Sequence, residues 1–111
     1  PPSSITARIS ASTSTIKVDG SYKNLTVNLF NDSNKDITTE YAEATFTWTC
    51  FIDNEDWTDK VTWRAGTKYN QKKVKFPNDT SAIGKILSVK CEIIKDNLPI
   101  ESEILPLELT E

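Results

Sequence analysis

Two cysteines, a knot of carboxylates and a scatter of aromatic rings are the side chains here with chemistry to offer. Cys50 closes the stretch FTWTC and Cys91 lies within ILSVKCEII. The sequence has no histidine, which removes Ser–His and Cys–His nucleophile pairs and His-assisted zinc sites. Two cysteines from distant parts of the chain do not make a zinc site, so core packing is their expected role. Asp53, Glu55, Asp56 and Asp59 gather in DNEDWTD and offer oxygen ligands to calcium. That stretch lacks the glycine turn and the closing bidentate glutamate of an EF-hand loop, and it reads as a solvated turn. No two carboxylates are marked out as a glycosidase pair. The sequence therefore assigns no catalytic, metal or cofactor-binding residue, and we expect a protein that is not an enzyme and uses no cofactor.

Trp57, Trp63, Arg64 and Tyr69 are the candidate surface for a partner protein or a glycan, since aromatic rings and arginine are favoured at interface centres. The competing expectation is that Trp63 alternates inward with Val61 and Ala65 and that Trp57 folds down over an edge of the core. Asn24, Asn31 and Asn78 each begin an Asn-x-Ser/Thr sequence, the glycosylation signal of secreted eukaryotic proteins. So many Asn, Ser and Thr residues produce such signals by composition, with three only a small excess.

Apolar residues alternate over short runs separated by polar turns, the period-2 mark of half-buried strands. Residues 5 to 10 and 14 to 18 read as one first strand interrupted by ASTS. Residues 23 to 30 place Leu25, Val27 and Leu29 on one face. Residues 41 to 52 hold the clearest strand, with Ala44, Phe46, Trp48, Cys50 and Ile52 in a row and Thr45, Thr47, Thr49 and Phe51 opposite. Further strands are expected at 60 to 65, 71 to 76, 84 to 94 and 100 to 109, the second-last turning Leu87, Val89, Cys91 and Ile93 inward. NDSNKD, DNEDWTD, PNDTSAIG and KDNLPI are loops or turns by composition. The run TTEYAEA is too short to stand as a helix.

At 111 residues and 26% charged, the chain suits one folded domain. Its net charge of -3 is scattered, without the basic stripe that nucleic-acid binding requires. No apolar run is long enough to cross a bilayer as a helix, and no membrane insertion or nucleic-acid partner is expected. The sequence contains no methionine; with its PPSS start, it is expected to be a processed product or a module of something longer.

About seven strands at this spacing with no intervening helices predict an all-β, immunoglobulin-like antiparallel β-sandwich. Trp48 then falls on the third strand, where that fold buries its tryptophan. Val27 or Leu29 takes the second-strand position that carries the first cysteine in antibody domains. Cys50 and Cys91 are instead expected on neighbouring strands of one sheet, facing each other. Such a pair can form a cross-strand disulfide or remain as two buried thiols. Nothing else in the sequence signals an oxidising compartment, so two free thiols are expected.

The stretches ITARISASTSTIKVDGSYKNLTVNL, DITTEYAEATFTWT, NEDWTDK and ILSVKCEII, taken in order, resemble the immunoglobulin-like modules of tailed-bacteriophage structural proteins, especially minor tail and baseplate proteins. The likeness covers most of the chain, with Phe46, Trp48, Cys50, Val89 and Cys91 as its core signature. It is also similar to the immunoglobulin-like repeats of bacterial adhesins. The phage resemblance implies a virion component assembled in the host cytoplasm, with other virion structural proteins as partners and a host-surface glycan as a further one. The alternative implies a bacterial surface repeat or a carbohydrate-binding module. The last strand, with Pro99, Pro106 and its glutamates, is expected at a sheet edge.

Overall fold

Alternating apolar residues build three long strands that carry most of the core. Leu25, Val27 and Leu29 are buried along β3 (Lys23–Phe30). Trp48, Cys50 and Ile52 are buried along β4 (Thr45–Ile52), with Phe46 half-buried near its start. Leu87, Val89, Cys91 and Ile93 are buried along β8 (Ile86–Lys95). The computed structural model describes residues 5–111, so the polar PPSS extension lies outside the described residues.

The other strands are β1 (Thr6–Ala11), β2 (Thr15–Lys17), β5 (Glu55–Asp56), β6 (Thr62–Ala65), β7 (Gln71–Lys75), β9 (Leu98–Glu101) and β10 (Leu105–Thr110). One sheet runs β1, β3, β7, β6; the other runs β2, β10, β8, β4, β5, with β9 also on β8. Taking β1 with β2 as a split first strand and β9 with β10 as a split last one leaves seven strands plus the short β5. Strands one, two, five and four then share one sheet, and three, six and seven share the other, which is the immunoglobulin arrangement. The expected all-β sandwich is what forms.

Several details differ from the sequence reading, among them β5 and the start of β9, which form within stretches expected as turns. The first strand is not one strand with a polar break. β1 pairs antiparallel with β3, setting Ala7 opposite Leu29, whereas β2 pairs parallel with β10, setting Ile16 opposite Leu109. Ala7, Ile9 and Ile16 all face the core, and the small polar residues between them carry the chain from one sheet to the other. The last strand is likewise not a simple edge, because β10 has β8 on one side and β2 on the other. Pro106 lies opposite Ser88, before β2 joins at Glu108, so its missing N–H interrupts no ladder there. Pro99 does sit in an edge segment, β9, opposite Ile94. Finally, Trp63 is half-buried while Ala65 on the same row is exposed, so the inward row of β6 ends at its tryptophan.

Two tight hairpins use the same residue pair. Asp53 and Asn54 have φ of 49° and 68°, and Asp96 and Asn97 have 52° and 64°. Each pair is the whole loop, between Ile52 and Glu55 and between Lys95 and Leu98. Two consecutive positive φ angles define a type I′ turn, whose twist matches the strands it joins, and Asp and Asn tolerate that region. Thr38, in the 3₁₀ turn Thr38–Tyr41, supports the far end of β3. Its Oγ1 accepts the Leu29 N–H at 2.9 Å and donates to the Asp36 carboxylate at 2.5 Å. That donated bond, with a second from the Thr38 backbone N–H at 2.9 Å, holds the Asp36 carboxyl below the usual carboxylate range.

β9 and β10 meet β8 one residue out of step. Glu101 lies opposite Glu92 but Leu105 lies opposite Val89, so one extra residue bulges between them. Ser102 repairs the gap. Its N–H donates to the Cys91 carbonyl at 2.8 Å, and its Oγ accepts the Cys91 N–H at 2.8 Å where a ladder carbonyl would otherwise stand. The next residue, Glu103, donates its N–H to the Ala7 carbonyl of β1 at 2.8 Å. The bulge thereby ties the two sheets along one side. Ser102→Ala orphans a buried N–H and is expected to cost about 1–3 kcal/mol, read as a lower urea midpoint. An unchanged midpoint would remove Ser102 from this role.

Candidate interaction surfaces

Trp57 follows β5 and turns inward. Its N–H donates to the Cys50 carbonyl at 2.9 Å, and its ring stacks on Phe76 with centroids 5.2 Å apart and planes at 23°. The Lys60 ammonium sits 4.8 Å over the ring and is held by Glu55 at 3.3 Å. Trp57 is therefore a lid on the core more than a free platform. Trp63, opposite Val74 on β6, donates its indole N–H to the Thr58 carbonyl at 2.8 Å. Arg64 projects from the opposite face of that strand and lies 5.0 Å over the Tyr22 ring. Tyr69, 41% exposed, tilts against Phe46 at 6.0 Å and donates its hydroxyl to the Thr38 carbonyl at 3.2 Å.

These four residues do not form one surface. Trp57 is anchored at Cys50 and Tyr69 at Phe46, about 13 Å apart along β4 at the usual rise of a strand. Arg64 points away from both. What the structure does bring together is Trp57 and Trp63, both through the segment around Thr58, and there the rings are largely spent on packing.

The acidic turn is held by its own local bonds. Asp56 accepts the Thr58 N–H at 2.8 Å, and hydrogen bonds from the Thr58 side chain and backbone lower its pKa. Among the described residues no group of three or more His, Cys, Asp or Glu is placed to hold a metal ion.

The thiols are not opposed across the sheet. Cys50 lies opposite Val89 and Cys91 opposite Trp48, which corrects the expected Cys50 to Cys91 pairing. Diagonal neighbours of this kind have α-carbons about 7–8 Å apart, beyond the span of a disulfide. Both thiols are free and buried, and burial, with smaller contributions from Asp56 and Glu92 respectively, pushes each up to about 12. Neither is a nucleophile at neutral pH.

One further surface feature was not singled out from the sequence. A groove of about 530 Å³ runs beside the β8–β9 hairpin, lined by Ile5, Tyr41, Lys95, Leu98, Pro99 and Ile100 among others. Leu98, on its wall, is 69% exposed; Ile104, beyond the bulge and outside the groove lining, is 52% exposed. Lys95 spans the groove wall, with its ammonium 5.0 Å over the Tyr41 ring and donating to the Glu40 carbonyl at 2.7 Å. The available signal was a leucine directly after the Asp96–Asn97 turn, where a polar residue is the norm. No family model and no curated protein matches this chain.

Proposed function

We propose that the chain is a non-enzymatic structural and interaction module of a bacteriophage virion, of the tail or baseplate kind that its sequence resembles. The observation that carries the structural half is the parallel run of its first and last strands. Ala7 meets the chain at Ser102 and Glu103, and β2 meets β10 at Glu108 to Thr110. The described chain therefore enters at one end of this seam and leaves at the other, in a body whose longest extent is 47 Å. Bonds such as Glu108 N–H to the Ser14 carbonyl and Val18 N–H to the Thr110 carbonyl, both 2.8 Å, lie across the direction of a pull between those ends. Such a pull loads them together instead of one after another, which suits a rigid spacer.

Contact with neighbouring virion proteins would use the groove beside Leu98, Pro99 and Ile100 as an apolar anchor, with Lys95, Asp96 and Glu101 as its charged rim. Individually modest contacts of this size gain strength from repetition by the symmetry of a particle. The resemblance, and not the fold, carries the virion setting, since immunoglobulin-like sandwiches serve many functions. The test is gold-labelled antibody against the domain, applied to purified particles and to the cells they infect. Label on the tail or baseplate is the expected result. Label confined to the bacterial envelope would overturn it in favour of an adhesin repeat or carbohydrate-binding module.

A further inference from the structure

The outer side of β4 is an open strand edge whose sequence reads the same way from both ends in chemical type. Cys50 shows which backbone groups point outward: its carbonyl accepts from Trp57 N–H at 2.9 Å and its N–H donates to Thr58 Oγ1 at 3.1 Å. Both partners lie on the side away from β8. Backbone direction alternates along an antiparallel strand, so the N–H and carbonyl groups of Trp48 and Phe46 point the same way. β5 covers only Phe51 and Ile52. Among the described residues nothing hydrogen-bonds the outward groups of Phe46 and Trp48.

The other edges are blunted. β2 and β5 are three and two residues long, β9 carries Pro99, β1 is held by Glu103, and β6 bears Arg64. The segment Thr45-Phe46-Thr47-Trp48-Thr49 has no proline, no charge and a strong β composition, so it lacks the usual devices that prevent pairing. Thr45 and Thr47 are exposed on its outer face.

We propose that β4 pairs antiparallel with β4 of a second copy of this chain, about a two-fold axis through Thr47. In this register Phe46 faces Trp48 of the second copy and Trp48 faces Phe46. The outward groups then meet in two hydrogen-bonded pairs, giving four backbone bonds. Thr45 faces Thr49, and Thr47 faces Thr47, so β-branched residues stack along the outer face, while Phe46 and Trp48 form cross-strand aromatic pairs on the inner one. No charge opposes itself. The paired stretch is bounded by Ala44, whose N–H turns back to the Tyr41 carbonyl at 3.0 Å, and by Thr58 at Cys50. A contact this short is a weak one, and it joins two six-stranded sheets into one.

Thr47 gives the test, because its exposed side chain sits on the axis while its backbone bonds inward to β8. Sedimentation equilibrium of the wild-type chain up to about 1 mM, the range of weak association, should show a dimer forming with concentration. T47K and T47E each set two like charges face to face and should abolish it, and a one-to-one mixture of the two should restore it. Amide exchange at Phe46 and Trp48 should slow with concentration, with Thr47 unchanged. Thermal melts confirm that both variants fold. A chain monomeric throughout that range overturns the proposal, as does a dimer indifferent to T47K and T47E, which would place self-association elsewhere, for instance at Leu98.

Discussion

Phe76→Ala is expected to lower stability by about 3–5 kcal/mol. Phe76 is fully buried and lies beneath the Trp57 indole. Its backbone forms a parallel bridge with Val18, and its carbonyl accepts the Asp19 N–H at 3.3 Å. Removing the ring opens a cavity where β7, the lid after β5 and the end of β2 converge. Backbone bonds hold that junction in place, so it cannot collapse far. Domains of this size hold about 5–15 kcal/mol in total, so the loss is a large fraction. The melting temperature should fall by roughly 12–20 °C at about 4 °C per kcal/mol, and Trp57 fluorescence should shift to the red as water reaches the indole. Phe76→Leu, which refills most of the volume, should cost less than about 2 kcal/mol. An alanine variant that loses under about 1 kcal/mol would show that the Trp57–Phe76 stack is outside the cooperative core.

The native thiols should be close to inert. An unfolded cysteine has a pKa near 8.5, so about a quarter is thiolate at pH 8. With the folded values pushed up to about 12, the thiolate fraction falls to roughly one in ten thousand, a suppression on the order of a thousandfold before access is considered. Ellman's reagent should therefore titrate no thiol in the native chain over hours and both at once in denaturant. Intact mass without reductant should show no 2 Da deficit. Labelling then reports opening of the core, and Phe76→Ala should accelerate it by more than about a hundredfold, since 1.4 kcal/mol is a factor of ten. Rapid labelling of either cysteine at neutral pH without denaturant would contradict the closed packing of β4 on β8.

The strong alternation of KNLTVNLF, TFTWTCFI and ILSVKCEIIK made β3, β4 and β8 legible in the sequence, since each buries one face and bares the other. The relation of Cys50 to Cys91 was not legible. Sliding one strand by two residues keeps every side chain on its own face, so alternation accepts either register, and β4 and β8 are joined by no short turn that would choose. The destination of β2 escaped for a related reason: an apolar residue flanked by polar ones announces a strand but not its neighbour. The bulge did leave a trace. Ile100 and Ser102 share one parity, and Leu105, Leu107 and Leu109 the other, so the pattern changes phase at Ile104–Leu105. Of the candidate surface, the residue types were visible, but the hydrogen bonds that tie down Trp63 and Tyr69 depend on Thr58 and Thr38, which carry no such signal.

The pairing of β2 with β10 also sets an order of events. The hairpins at Asp53–Asn54 and Asp96–Asn97 close over two residues and can form within microseconds. Thr15 instead has to find Glu108, across most of the chain, and contacts that distant are entropically late. During synthesis β1 and β2 leave the ribosome first yet have no complete place to dock until β10 has followed them. Until then, Ile16 and the strip of β8 that β10 will cover wait exposed together, so the interval before the last residues emerge is when this domain depends most on slow aggregation or on a chaperone.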